Sequence, residues 1–170
     1  MMWNAYQQDA MKTAIFPVDR SLDYTVLGLL SELGELVEAR AANVPERIKG
    51  ELGDNFWYVA AIADTLKTPL YSIYVWTTTK RPVSAYESMD ALMVLGGLIA
   101  GHVKKSIRDE NGYVSLERAD NIRECLSKYM HHLEFITDDY GSLGGILNGN
   151  LDKLASRKKR DVLTGSGDNR

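Results

Sequence analysis

Apolar residues recur every three or four positions along most of this chain, and that repeat constrains the fold more than any other feature. Leu22, Val26, Leu29 and Leu33, for example, fall on one stripe of a helix. The chain has only four prolines, and no segment shows the strict alternation that is typical of a half-buried strand. The pattern therefore predicts an all-α fold. The predicted helices cover 3–14, 22–42, 45–66, 69–80, 84–107, 116–139 and 142–159.

Length and composition favour one globular domain. The 170 residues are 45% hydrophobic, which is enough for a real core, and we assign 1–160 to one domain and 161–170 to an irregular tail. The net charge of -3 argues against a broad nucleic-acid-binding surface. A single cysteine, Cys125, excludes an internal disulfide framework, and the most apolar run, 91–101, is too short to span a bilayer. We expect a cytoplasmic protein that does not bind membranes.

The two halves of the chain resemble each other weakly. "ELGDN" at 51–55 aligns with "ERADN" at 117–121, and an offset three residues shorter sets Glu32 and Glu35 against Leu95 and Leu98. This alignment predicts a helical bundle of two fused hairpins, a pseudo-dimer. Its first repeat covers about 20–80, and its second, over about 84–158, is degenerate because it has lost the acids that correspond to Glu32 and Glu35.

Acidic residues concentrate in two neighbouring predicted helices. Glu32 and Glu35 lie three residues apart on one helix, and Glu51 and Asp54 lie three apart on the next. Residues at this spacing share a helix face, and a tight turn around Asn43 places the two pairs at similar height. Converging carboxylates repel each other, and divalent cations are the usual remedy. Oxygen ligands without cysteine or histidine favour Mg²⁺ or Mn²⁺, which points to phosphate chemistry inside a helical bundle.

A solvated acidic face is the ordinary alternative for such a pattern. Against it, no lysine stands four residues after Glu32 or Glu35 to relieve the repulsion. Gly28, Gly34 and Gly53 also interrupt these helices, and each costs about 1 kcal/mol relative to alanine, which indicates that something approaches closely.

The order of these motifs resembles a known family. E-x-x-E at 32–35 followed by E-x-x-D at 51–54, within "LGLLSELGELVEA" and "ELGDNFWYVAAIA", resembles the MazG-type nucleoside triphosphate pyrophosphohydrolases. "YQQDAMKTA" at 6–14 and "NLDKLASRKKRDVLTGSGDNR" at 150–170 resemble the start and the close of a MazG-like subgroup found in bacteria and phages. Together these matches cover most of the chain.

The resemblance implies an all-α fold and cleavage of an NTP or dNTP between the α and β phosphates, giving a monophosphate and pyrophosphate. The implied metal ligands are Glu32, Glu35, Glu51 and Asp54, with Mg²⁺ as the ion and Mn²⁺ as a substitute. The implied catalytic residues are Glu32, Glu35 and Glu38, where Glu38 is either a further ligand or a helper base. The implied phosphate and nucleotide contacts are Lys104, Asn150, Lys153 and Arg157.

The chain also departs from that pattern. In the usual short protein the acids and "KVKK...IRD" occur in one hairpin, whereas here "HVKKSIRD" at 102–109 stands in the other half. The separation puts in doubt whether Lys104 reaches the acids, and it keeps open a non-catalytic nucleotide-binding relative. A helical interaction module that uses "RKKR" at 157–160 is a second alternative, which the acidic balance of the chain disfavours. The expected partners are a nucleoside triphosphate and a second copy of the chain, a homodimer being favoured.

Overall fold

The computed structural model describes residues 2–78, 81–82 and 84–164, and it confirms the all-α fold over these ranges. Seven α-helices and one short 3-10 helix account for the regular structure of the described residues. The helices are α1 (Met2–Met11), α2 (Ser21–Ala41), α3 (Pro45–Thr65), α4 (Leu70–Tyr74), α5 (Ala85–Asp109), α6 (Leu116–Thr137) and α7 (Leu143–Lys159), and the 3-10 helix (Val18–Arg20) precedes α2.

Two helical hairpins form the body of the bundle. Helix α2 packs along α3, and α5 packs along α6, while α2 also contacts α5 and α3 also contacts α6. A three-residue turn joins α2 to α3: Asn43 takes a left-handed conformation with φ 54°, and Pro45 opens α3 at its first turn, where a missing N–H costs nothing. The pairing of two hairpins fits the predicted repeat, but their relation by a two-fold axis stays a prediction.

Helix α3 lies at the centre of the core. Every residue from Val59 to Ala63 is fully buried, so this part of the helix meets protein on all sides. Trp57 is buried too, and its indole N–H donates to the backbone oxygen of Ala10 and to the hydroxyl of Thr13. These contacts hold α1 and the loop after it against α3. Helix α7 also packs on α3.

The segment after Pro69 differs from the prediction. We expected a helix over 69–80, but α4 ends at Tyr74, and residues 79–80 lie outside the described ranges. The backbone N–H of Thr77 donates to the hydroxyl of Ser127 on α6 instead of to a carbonyl one turn back. A tertiary contact thus replaces the helical hydrogen bond that the sequence pattern favoured.

The two remaining expectations concern the tail and the membrane. Residues 161–164 are not helical, as predicted, whereas 165–170, with "GSGDNR", lie outside the described residues. Within the part of the chain that is described, no helix combines the length and the apolar character needed to cross a membrane.

Candidate functional site

Three carboxylates meet between α2 and α3. Glu32, Glu35 and Glu51 each offer an oxygen, and these three oxygens lie within 4.8 Å of one another. Glu51 is 3% exposed, and Glu32 and Glu35 are half-buried. The tight turn after α2 runs α3 back along it, so that two acids one helical turn apart face a third across the hairpin. Oxygen ligands at this separation suit a hard divalent cation.

Asp54 lies beside this group and is held from α7. Its two carboxylate oxygens accept hydrogen bonds from the amide of Asn150, at 2.7 Å, and from the ammonium group of Lys153. The hydroxyl of Tyr6 on α1 donates to the other end of the Asn150 amide, at 3.4 Å. Gly53 permits this approach, because a Cβ there would lie 2.8 Å from the Cβ of Asn150. Three helices therefore fix the position of Asp54.

The electrostatics of Glu32 record the convergence of all four acids. Its pKa is raised from 4.5 to about 8, chiefly by burial and then by the negative charges of Asp54, Glu35 and Glu51. Lys153 lowers the pKa of Glu32 and is the cation among these influences. A second positive charge close to Glu32 would relieve the remaining repulsion, so the donor set fits a divalent ion.

Arg47 bridges two of the acids on the other side of the group. Its guanidinium lies 3.4 Å from Glu38 and 3.4 Å from Glu51. The side chain of Glu38 is 73% exposed and contributes no oxygen to the group of three. We overlooked Arg47 in the sequence, although its spacing of four residues from Glu51 is a recognised signal for a helical ion pair.

Comparisons with known proteins agree with this geometry. A family model described as the MazG nucleotide pyrophosphohydrolase domain matches residues 20–72. This segment, less than a third of the chain, therefore resembles the MazG family. The chain is also 39% identical over 75 residues to the gene 37 protein of Mycobacterium phage L5, and the alignment covers 44% of this chain and 66% of the phage protein, just under two thirds. No solved structure shows a significant match.

The segment that matches the family model contains Glu32, Glu35, Glu51 and Asp54, but the cations of α7 lie outside it. Asn150, Lys153 and Arg157 follow at intervals of three and four residues, which places them on one face of α7. Arg157 is 6% exposed. Asn150 and Lys153, from the C-terminal helix of the same chain, thus contact Asp54 of the matched segment.

Lys104 has a different place. It lines a shallow groove between α2 and α5 together with Arg20 and Asp23, and it is not among the charges that act on Glu32. The doubt that the sequence raised about this lysine therefore has a geometric basis, and its phosphate contact stays a prediction.

An aromatic cluster borders the acid group, and sequence reasoning did not place it there. The phenol of Tyr58 hydrogen-bonds to Tyr24, and its pKa is raised by burial first and then by Tyr24, Glu32 and Asp54. Tyr24 stacks on Phe16, with ring centroids 5.4 Å apart. Tyr58 also packs directly on the backbone of α2, which is a contact that a sequence pattern cannot reveal.

The glycines of α2 and α3 differ in what surrounds them. A Cβ on Gly28 would lie 2.1 Å from the ring of Tyr58, so this glycine makes room for the aromatic cluster. Nothing lies within 4 Å of the corresponding position at Gly34. The expected close approach within the chain is therefore present at Gly28 and Gly53 and absent at Gly34.

A groove opens on the α7 side of the acids. Its volume is ≈ 480 Å³, and its lining includes Lys49 and Gly50 of α3 together with Asn150 and Lys153 of α7. Asn150 and Lys153 also bind Asp54, so the groove and the acid group share a wall.

Proposed function

We propose that this protein hydrolyses a nucleoside triphosphate between its α and β phosphates in the presence of Mg²⁺, giving a monophosphate and pyrophosphate. The observation that carries the proposal is the meeting of Glu32, Glu35 and Glu51 within 4.8 Å, inside a segment that matches the MazG nucleotide pyrophosphohydrolase domain. The proposed biological role is the removal of dNTPs from the cellular pool.

In this proposal Glu32, Glu35 and Glu51 hold the metal, and Asp54 completes the set from the side of α7. The bound Mg²⁺ would supply charge neutralisation for the triphosphate and acidity to a coordinated water. Lys153 would leave Asp54 and bind a phosphate, with Arg157 one turn further along the same face of α7. The groove beside Asn150 offers the nucleoside a place next to the triphosphate.

The bond changes of the reaction define the remaining roles. A water oxygen forms a bond to the α phosphorus, the bond from that phosphorus to the bridging oxygen breaks, and pyrophosphate leaves. The proton lost by the water goes to a carboxylate base. Glu35 is the better base candidate because it belongs to the group of three, whereas Glu38 is exposed and paired with Arg47.

Nucleotide binding without hydrolysis is a second candidate. Lys153 already pairs with Asp54, and Arg47 already pairs with Glu51, so internal cations offset part of the charge that a metal would otherwise meet. A protein that keeps these pairs when nucleotide arrives would bind it without activating water.

A product screen separates the two candidates. Each NTP and dNTP is incubated with the full chain and Mg²⁺ in oxygen-18 water, and the products are resolved by chromatography and mass spectrometry. The hydrolase proposal expects pyrophosphate together with a monophosphate that carries the heavy oxygen. Orthophosphate release would contradict the proposed bond, and Mg²⁺-dependent binding without turnover would support the second candidate.

A matched pair of variants ties the activity to the site. Glu35→Gln removes one charge from the group of three, and we expect at least a hundredfold loss of turnover, in keeping with removal of a group that acts in the transition state. Glu117→Gln is the control, because Glu117 is an exposed acid in the first turn of α6. Equal turnover in wild type and Glu35→Gln would remove Glu35 from the mechanism.

A further inference from the structure

Helix stability does not account for Arg47 at its position in α3. Arg47 is the third residue of the helix, where the positive end of the helix dipole disfavours a cation. It also precedes Glu51 by four residues, and the opposite order, acid before base, is the one that stabilises a helix more. The arginine therefore requires another explanation.

The contacts of Arg47 leave much of its hydrogen-bonding capacity unused. Its Nε lies 3.4 Å from an oxygen of Glu51, and one terminal nitrogen lies 3.4 Å from an oxygen of Glu38. Charge-assisted hydrogen bonds are usually about 2.7–2.9 Å long, so both contacts are loose. The other terminal nitrogen has no acceptor among the residues that the structure describes. The side chain is 36% exposed, so a ligand can reach it.

Arg47 and Lys153 stand at opposite ends of the acid group. On α3, Glu51 follows Arg47 by four residues and Asp54 follows it by seven, so the three side chains share one face over about 10 Å. Lys153 reaches Asp54 from α7. An anionic chain that lies along the acids therefore meets a cation at each end.

We propose that Arg47 binds the pyrophosphate part of a nucleoside triphosphate, and that Glu38 holds this arginine until the substrate arrives. The inference rests on the proposed function, in which the nucleoside lies in the groove beside Asn150. The β and γ phosphates then extend away from α7 to the α2 side of the acid group, where Arg47 lies. The planar guanidinium binds two phosphate oxygens at once, which a lysine does not do.

Glu38 is the carboxylate that the pyrophosphate replaces. Its side chain is 73% exposed, so its ion pair with Arg47 is weak and easily exchanged. When the bond between the α phosphorus and the bridging oxygen breaks, negative charge collects on the departing pyrophosphate, and Arg47 stabilises that charge. Glu51 is 3% exposed and stays within the acid group.

Calorimetric titration of the full chain with inorganic pyrophosphate and Mg²⁺ tests this contact without requiring turnover. Arg47→Gln is expected to weaken pyrophosphate binding at least tenfold, in keeping with the loss of hydrogen bonds to a charged group. Arg47→Lys keeps the charge beside Glu51 and loses the planar fork, so it should keep the fold and part of the affinity. Unchanged pyrophosphate affinity in both variants would overturn the proposal.

The affinity for Mg²⁺ alone separates phosphate binding from a structural role. In Arg47→Gln this affinity should stay the same or rise, because a cation that competes for Glu51 is gone. If Mg²⁺ affinity falls as much as pyrophosphate affinity, Arg47 only positions Glu51, and the proposal is wrong.

Glu38→Gln should have the opposite effect on pyrophosphate. Without its charged partner, Arg47 meets the phosphate more readily, and pyrophosphate binding is expected to tighten about two- to fivefold. The gain should vanish when Glu38→Gln is combined with Arg47→Gln, because it depends on release of the arginine. An equal gain in both backgrounds would show that Glu38 only repels phosphate, which contradicts the exchange.

Lys128→Gln is the matched control. Lys128 also pairs with a glutamate four residues away and its side chain is 40% exposed, but it lies on α6 outside the acid group. This variant should bind pyrophosphate as wild type does, and circular dichroism of every variant checks that the helices are intact.

The titration also distinguishes failure of this inference from failure of the proposed function. Wild type that turns over no NTP or dNTP, but loses pyrophosphate binding on Arg47→Gln, would contradict the hydrolysis and support the contact. Wild type that hydrolyses triphosphates at the same kcat and KM as Arg47→Gln would contradict the contact alone. A wild type that does not bind pyrophosphate with Mg²⁺ would overturn the contact.

Discussion

Replacing Glu32 by glutamine should stabilise the metal-free protein at high pH. The carboxylate of Glu32 is surrounded by three other acids, and its pKa is raised from 4.5 to about 8 by burial first and by those charges second. A glutamine has nearly the same shape and carries no charge. The variant therefore keeps the packing of α2 and removes the electrostatic conflict.

The sign of the effect follows from proton linkage. The folded protein binds the Glu32 proton more tightly than the unfolded chain does, so the contribution of Glu32 to stability is fully present below pH 4.5 and is lost as the pH rises through about 8. Each tenfold change in an acid constant is worth about 1.4 kcal/mol, so the complete loss corresponds to about 5 kcal/mol. Solvent reaches part of this half-buried group, and we expect a loss of about 2–3 kcal/mol.

Urea unfolding followed by tryptophan fluorescence measures this loss. Wild type and Glu32→Gln are compared in a chelating buffer at about pH 5 and about pH 9, on either side of most of the titration. We expect similar free energies of unfolding at the lower pH and a more stable variant at the higher pH. Saturating Mg²⁺ at the higher pH should stabilise wild type more than the variant, because only wild type retains the full carboxylate set.

One result would refute the electrostatic reasoning. If wild type and Glu32→Gln lose stability in parallel between the two pH values, Glu32 does not carry the conflict. Glu117→Gln serves as the matched control and should follow wild type at both pH values, since Glu117 is an exposed acid far along the chain from the group.

Two further predictions concern the neighbours of the acids. Gly28→Ala should lower the free energy of unfolding by about 1–3 kcal/mol because its Cβ meets the ring of Tyr58. Gly34→Ala should raise it by up to about 1 kcal/mol, because the added Cβ meets no atom and alanine favours a helix. Urea unfolding measures both variants, and equal effects would contradict the packing at Tyr58. Lys153→Met should tighten Mg²⁺ binding without nucleotide, because it removes the cation that offsets the charge on Glu32, and should slow turnover about tenfold; unchanged Mg²⁺ affinity in calorimetry would contradict this role.

The sequence predicted the long helices well because their apolar stripes are regular. Helices α2, α3, α5, α6 and α7 begin and end within two residues of the predicted positions. Capping explains part of this accuracy: Ser84, Ser115 and Ser142 each accept a hydrogen bond at the start of a helix, and Pro45 opens another. Local signals of this kind are readable without any knowledge of the tertiary structure.

The short helix α4 was less predictable. Its five residues, Leu70–Tyr74, carry little intrinsic helical stability, since short helices depend on tertiary contacts. The contact of Thr77 with Ser127 joins segments that are distant in sequence, and it decides the local structure.

The acid group could be predicted because the turn between α2 and α3 is tight. Residues at equal sequence distances from such a turn lie at similar heights on the two helices. The partners of Asp54 could not be derived in this way, since Asn150 and Lys153 are almost a hundred residues away and only the packing of α7 on α3 brings them near. The family resemblance pointed to these α7 residues, but not to their contact with Asp54. Tyr58 was not predicted as a neighbour of the acids, because the sequence around it does not distinguish a residue beside the site from a residue in the core.

A crystal structure of the protein grown with Mn²⁺ and a non-hydrolysable dNTP tests the central claim most directly. The account predicts an anomalous scattering peak bound by oxygens of Glu32, Glu35 and Glu51, with the triphosphate extending toward Lys153. Mn²⁺ bound elsewhere, or a triphosphate held away from these three carboxylates, would contradict it.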